Sequence, residues 1–177
     1  AQTPYLVVDI GGGSTEFVFG EDEVKFSRSV DIGCVRMAER HLKVSPPKPL
    51  DVQNAITDID QAIFEASQIV PMKEAKTLIA VAGTATTVAA AALNLPTYQR
   101  EVIHGSRISA TDTYRISEWL LTLPRSERAQ LGYMHPGRVD VIAAGSLVLA
   151  EILKRTGAKE FIASERDILD GILATIK

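Results

Sequence analysis

A mixed α/β fold is the architecture this sequence predicts, and three observations carry that reading. Short β-type runs crowd the stretch up to Val30, amphipathic helical patterns fill the middle, and isolated apolar runs at 77–82 and 160–163 return between helices. The 177 residues suit one domain. Apolar residues at 46% and charged ones at 23% match ordinary globular composition, which excludes a disordered tail or a disulfide scaffold.

Taking the elements in order, Tyr5 to Ile10 is an apolar run closed by the breaker cluster Gly11-Gly12-Gly13-Ser14. Thr15 to Phe19 and Val24 to Val30 follow, separated by Gly20-Glu21-Asp22, so the start of the chain reads as a three-stranded antiparallel meander. Cys34 to Lys43 has helical spacing and stops at Ser45-Pro46-Pro47. Asp51 opens a longer amphipathic helix through Ala55, Ile59, Ile63 and Phe64 that ends at Pro71. Thr77 to Ala82 is a buried strand, and Gly83-Thr84 lead into an Ala-rich helix ending near Leu93.

Ile103 to Ser109 fits neither pattern clearly. Thr111 and Asp112 cap a helix that Pro124 ends, and Ser126 to Leu131 reads as a helical turn. A long apolar helix is expected from Arg138 to Arg155, closed by Gly157. Glu160 to Ala163 is a last short strand, and a final helix spans Asp167 to Ile176. Three strands followed by alternating helices and strands, with a helical insertion before the last strand, is the order of ribonuclease H-like domains. The whole of residues 1–177 is therefore expected to be a single such domain, a mixed sheet flanked by helices.

Charge and cysteine content narrow the function. Lys and Arg number 19 against 22 Asp and Glu, a net charge of −3, which argues against a nucleic-acid-binding surface and predicts no DNA partner. Cys34 is the sole cysteine, so a disulfide within the chain and a cysteine-based zinc site are excluded, and a reducing cytoplasm fits. No stretch approaches the ~18 apolar residues of a membrane span.

Chemistry concentrates in LVVDIGGGSTEFVFG. Successive glycines leave backbone N–H groups unobstructed, and such groups converging in a turn form a concavity suited to phosphate oxygens. Gly11, Gly12, Gly13, Ser14 and Thr15 are thus the candidate phosphate-binding residues, the two hydroxyls adding donors. Asp9 and Glu16 supply hard oxygen ligands of the kind Mg²⁺ prefers, Mn²⁺ being a substitute. The plain rival is a flexible hairpin turn with Glu16 on a solvated face; neither GxxxxGK[ST] nor GxGxxG is present.

DIGGGSTE resembles the second phosphate-binding motif of the exopolyphosphatase and guanosine pentaphosphate phosphohydrolase family, within the actin, hexokinase and Hsp70 superfamily. VAGTATT at Val81 to Thr87 resembles the Gly-Thr turn after the fourth core strand, and RSERAQLGYMHPGRVDVIAAGSLVL at Arg125 to Leu149 is similar to the family's helical segment. SERDILDGIL at Ser164 to Leu173 resembles its ending. The resemblance implies Mg²⁺-dependent hydrolysis of a terminal phosphoanhydride bond of polyphosphate or guanosine pentaphosphate. It makes Asp9 and Glu16 catalytic and metal-binding residues. It also implies a preceding ribonuclease H-like domain with the first phosphate motif and the glutamate that serves as base. The abrupt start at Ala1 is expected to fall near that junction, leaving this chain as the second half, inactive or weak alone. A homodimer is an open expectation. The rival readings are an ATP-dependent sugar or acid kinase domain of the same superfamily and a non-catalytic phosphate- or nucleotide-sensing module.

Outside the loop, Gly83 and Thr84 mark a second phosphate or nucleotide turn at a helix N-terminus, with simple capping as the alternative. Arg138 is a substrate candidate through bidentate contact with a phosphate oxygen, although with Asp140 it reads more readily as a structural pair. His104 is a substrate candidate only through groups that it would support, because His41, His104 and His135 are scattered and form no metal cluster. Cys34 reads as a small core residue near a helix start.

Overall fold

In a computed structural model of the protein, residues 2–166 are described. Strands β1 (Tyr5–Ile10), β2 (Thr15–Gly20) and β3 (Val24–Val30) form the antiparallel meander. Helix α1 (Cys34–Arg40) and helix α2 (Pro49–Ser67) follow, then β4 (Thr77–Val81) and α3 (Ala82–Ala92). The insertion comprises α4 (Arg100–Ile103), β5 (Arg107–Ser109), α5 (Ala110–Thr122) and α6 (Arg125–Arg128). Helix α7 (Ile142–Thr156) and strand β6 (Glu160–Ala163) complete the described order. The expected final helix at 167–176 lies outside the described residues.

The strand order is β3-β2-β1-β4-β6-β5 in one sheet. β4 runs parallel to β1 and β6 parallel to β4, whereas β5 lies antiparallel to β6 at the edge. Period-2 alternation sorts the side chains. Leu6, Val8, Ile10, Phe17, Phe19, Phe161 and Ala163 are buried on one face, against which α3 and α7 lie. Tyr5, Val7, Asp9, Glu16, Val18, Ile79 and Ile162 share the opposite face and stay half-buried.

α7 is the axle of the helical layer. It touches α1, α2, α3 and α5 as well as β1, so its residues from Ile142 to Leu153 are buried on every side. A Cβ on its Gly145 would stand 2.5 Å from Thr84 Oγ1 and 3.0 Å from Cys34 Cβ, so the absence of a side chain there lets α1 and α3 approach. Gly157 ends it at φ 77°, as the sequence predicts.

Several boundaries differ from expectation, α2 among them, which begins at Pro49 ahead of Asp51. Arg138 does not open a long helix. It closes a 3₁₀ turn, Pro136–Arg138, capped by the His135 ring accepting the Gly137 N–H, and α7 begins only at Ile142. The cap of α5 is Ser109, not Thr111 or Asp112: its Oγ accepts the Asp112 N–H at 3.0 Å and donates to Asp112 Oδ2 at 2.7 Å. The segment at 103–109 divides into the end of α4 and the edge strand β5.

Between β4 and α3 the chain turns through Ala82 at φ 64°. A residue with a Cβ loses about 1–2 kcal/mol in that left-handed region. The strain is held because β4 is paired on both sides and α3 is wedged between the sheet and α5. Ala82→Gly is expected to leave the thermal midpoint unchanged or raised, although glycine ordinarily weakens a helix. Ala82→Val should lower it by about 2–4 °C for each kcal/mol of added strain, read by thermal unfolding.

Candidate active site

The glycine loop is docked by its carbonyls. The N–H groups of Cys34 and Val35 donate to Gly11 O and Gly12 O, both at 2.9 Å, and that of Arg36 donates to Gly12 O at 3.1 Å. Gly33 N–H reaches Gly13 O at 3.2 Å, and Arg36 Nε reaches the same carbonyl at 2.8 Å. The orphan donors at the start of α1 are thereby satisfied without a capping side chain. Within the loop, Gly11 N–H donates to Ser14 O at 3.0 Å. The N–H groups of Gly12, Gly13 and Ser14 make no hydrogen bond among the described residues, and Gly12 and Gly13 are exposed. The arrangement can receive an anion.

Strand register places the carboxylates. Asp9 stands opposite Glu16 across β1 and β2, and Glu16 opposite Ser29 across β2 and β3. Directly opposed side chains lie on one face, so both carboxyl groups project beside the loop. Glu16 Oε1 accepts from Ser14 Oγ at 2.5 Å and from Ser29 Oγ at 2.7 Å. The sequence reading missed Ser29, because its contact with Glu16 arises only from pairing two strands. It also missed Gly33 and Arg36, although the glycine just before a helix was a visible signal.

Thr15 is a correction. It alternates with Ser14 and Glu16 onto the core face, is 0% exposed, and donates its hydroxyl to Ile32 O at 3.0 Å. Its side chain therefore does not face the loop, and only Ser14 supplies a hydroxyl there.

The structure does bring the other candidates together. A cavity of about 240 Å³ is lined by Gly11, Gly12, Cys34, Gly83, Thr84 and Arg138. The N-terminus of α3 has no side-chain cap, which removes capping as the role of Thr84. Thr84 and Cys34 both border the cavity, and burial pushes the Cys34 thiol's pKa up. Arg138 lies over Gly83, where a Cβ would fall 1.9 Å from its Nη2, and donates to Thr87 Oγ1 at 3.2 Å. Asp140 does not pair with it. The Asp140 carboxylate accepts both Nε (2.5 Å) and Nη2 (3.1 Å) of Arg125, and that hydrogen bonding holds its pKa low.

His104 stands outside this cavity, its Nδ1 accepting the Glu165 N–H at 3.3 Å. His41 pairs with Asp58 at 2.8 Å. A second cavity of about 390 Å³, lined by Tyr98, Tyr133, His135 and Glu165, shares Arg138 as a wall. The Tyr98 hydroxyl donates to the Glu165 carboxylate, and burial followed by that carboxylate raises its pKa.

The glycine loop, the uncapped start of α3 and the carboxylates of Asp9 and Glu16 lie at one end of the sheet, in a chain whose residues 1–176 match the model of the Ppx/GppA phosphatase family. The chain belongs to the Ppx/GppA phosphatase family. Its described sheet and helices are accordingly a ribonuclease H-like domain of the actin-like superfamily. Exopolyphosphatase 2 of Mycobacterium tuberculosis is 42% identical over 99% of this chain and 56% of its own length. A guanosine-5'-triphosphate,3'-diphosphate pyrophosphatase of Vibrio cholerae is 45% identical over 36% of this chain and 12% of its own. A crystal structure of an exopolyphosphatase-like protein superposes with a TM-score of 0.95 at 39% identity, covering 98% of this chain and 59% of that one. The chain thus spans a little over half the length of these two exopolyphosphatase relatives.

Gly33 is the packing point on which loop docking depends. A Cβ there would sit 2.4 Å from the Gly12 carbonyl carbon and oxygen, backbone atoms that must move. Gly33→Ala should cost about 1–3 kcal/mol, the usual range for overpacking. Gly13→Ala, whose added Cβ meets only the Arg36 side chain at 3.5 Å, should keep the parent's thermal midpoint.

Proposed function

We propose that this chain is the second ribonuclease H-like half of a hydrolase that removes terminal phosphate from polyphosphate or guanosine pentaphosphate with Mg²⁺. The observation that carries the reading is the division of labour in the loop: its carbonyls are consumed by α1, so its free N–H groups are presented outward beside Asp9 and Glu16. Family membership and the names of the relatives support a hydrolase of this class.

Phosphoryl transfer asks a protein mainly for position and charge compensation. Gly12, Gly13 and Ser14 would hold the equatorial oxygens through N–H groups. Arg138 and the first turn of α3 would hold a neighbouring phosphate, the cavity joining them to Gly11 and Gly12. Two adjacent carboxylates with phosphate and water completing the shell fit Mg²⁺, which seldom takes an all-protein cage. No group of three or more potential ligands occurs among the described residues, so phosphate and water oxygens would have to supply most of the shell. Bound there, Mg²⁺ would offset charge on the transferring phosphoryl group. Ser14 and Ser29 keep Glu16 oriented through Oε1. The base that activates water would come from the preceding domain, which makes this chain alone weak or inactive.

In the full-length protein, Glu16→Gln is expected to lower kcat for phosphate release from polyphosphate at least about 10²-fold while leaving the thermal midpoint intact. Near-normal release would contradict the role of Glu16. Phosphate appearing on a sugar or acid acceptor, with none freed, would make the protein a kinase.

A further inference from the structure

At the end of the sheet away from the glycine loop lies a cavity of about 360 Å³ whose wall is strongly basic. Lys73 and Lys76 enter it from the segment leading into β4, Lys159 from the turn between α7 and β6, and Arg107 from the edge strand β5. All four are exposed. Arg107 pairs with Glu160, the one acidic lining residue, but Lys73, Lys76 and Lys159 make no ion pair or side-chain hydrogen bond among the described residues. The surplus is local, since the whole chain carries −3. One cation would suffice to complement the carbonyls at the α7 C-terminus, where Gly157 also lines the cavity. Two further lysines, from a different segment, remain to be explained.

We propose that this cavity is a second oligophosphate-binding site, separate from the loop. Ammonium groups are compact point charges that hold phosphate oxygens without demanding one orientation, which suits a repeating polyanion. Among the described residues of the lining there is no tyrosine, tryptophan or phenylalanine to form a stacking platform for bases, so the wall describes a phosphate chain better than a nucleic acid. Thr77, in the cavity, is opposite Tyr5 at the start of β1, while the loop follows Ile10 at its end. The two sites are therefore roughly 15–20 Å apart along the strand. The ligand is either the far part of a polyphosphate whose end occupies the loop or a free short oligophosphate. Its identity rests on the hydrolase reading above; the basic cavity does not.

The test uses the full-length protein and a Lys73→Glu/Lys76→Glu/Lys159→Glu variant, with a triple Gln variant guarding against misfolding. Calorimetric titration with tripolyphosphate and the KM for long-chain polyphosphate are the readouts. A rise in that KM of at least about 10-fold, the sum of three exposed ion pairs, with kcat and the KM for tripolyphosphate unchanged, supports the site with the substrate chain as ligand. Loss of one tripolyphosphate-binding event with an unchanged KM supports it with a free oligophosphate as ligand. Binding that depends on the three lysines in a protein that releases no phosphate would overturn the hydrolase reading and keep the site. Unchanged binding and unchanged KM in both variants overturn the site.

Discussion

The docking of three glycine carbonyls onto the first turn of α1 is the constraint from which the rest of the site follows. A turn of consecutive glycines has no side chains to hold it, and left alone it would sample many conformations at large entropic cost to any ligand. Here five hydrogen bonds from Gly33, Cys34, Val35 and Arg36 fix its carbonyls. Because each peptide unit is rigid, fixing the carbonyls on one side directs the amides to the other. The same contact requires Gly33, whose backbone lies against Gly12 and Gly13, and requires α1 to sit close to α7, which Gly145 permits. The geometry of the loop thus depends on the first turn of a neighbouring helix.

This changes which groups are available to an anion. A helix start is ordinarily an anion site because its first N–H groups are unsatisfied. In α1 they are consumed by the loop, so its contribution is indirect. In α3 no side chain caps the start, and Gly83 and Thr84 border the cavity. The strained residue Ala82 achieves that placement by turning the chain directly from β4 into α3. The structure therefore contains two kinds of anion-receptive backbone, a loop held by a helix and a helix start held by a strained turn, with Arg138 across the gap.

Much of the fold was legible because it is written locally. The breaker clusters after Ile10 and Phe19 delimit the meander, and Gly157 marks the end of α7. β5 was not legible: it spans three residues, Arg107–Ser109, and exists through pairing with β6 some fifty positions on. The start of α7 misled because Val139 and Val141 continue the apolar spacing backwards into a 3₁₀ turn. At the site, the motif announced Asp9, the glycines, Ser14 and Glu16. The inward turn of Thr15 was implicit in its period-2 relation to Phe17 and Phe19, but a hydroxyl beside a glycine loop outweighed the alternation. Ser29 could not be read, since its relation to Glu16 is a register, and Asp140 found its partner in Arg125, not in the nearer Arg138.

The loop also separates two electrostatic environments. Towards the helical layer lie Arg138 and the start of α3; on the opposite face of the sheet lie Asp9 and Glu16. Val7, Val18 and Ile79 share that face of the sheet with the carboxylates and are half-buried. A phosphate held by the loop would meet the Arg138 guanidinium on one flank and the Glu16 carboxylate on the other, attracted by the first and repelled by the second. The divalent cation proposed above would offset that repulsion by lying between the carboxylate and the phosphate.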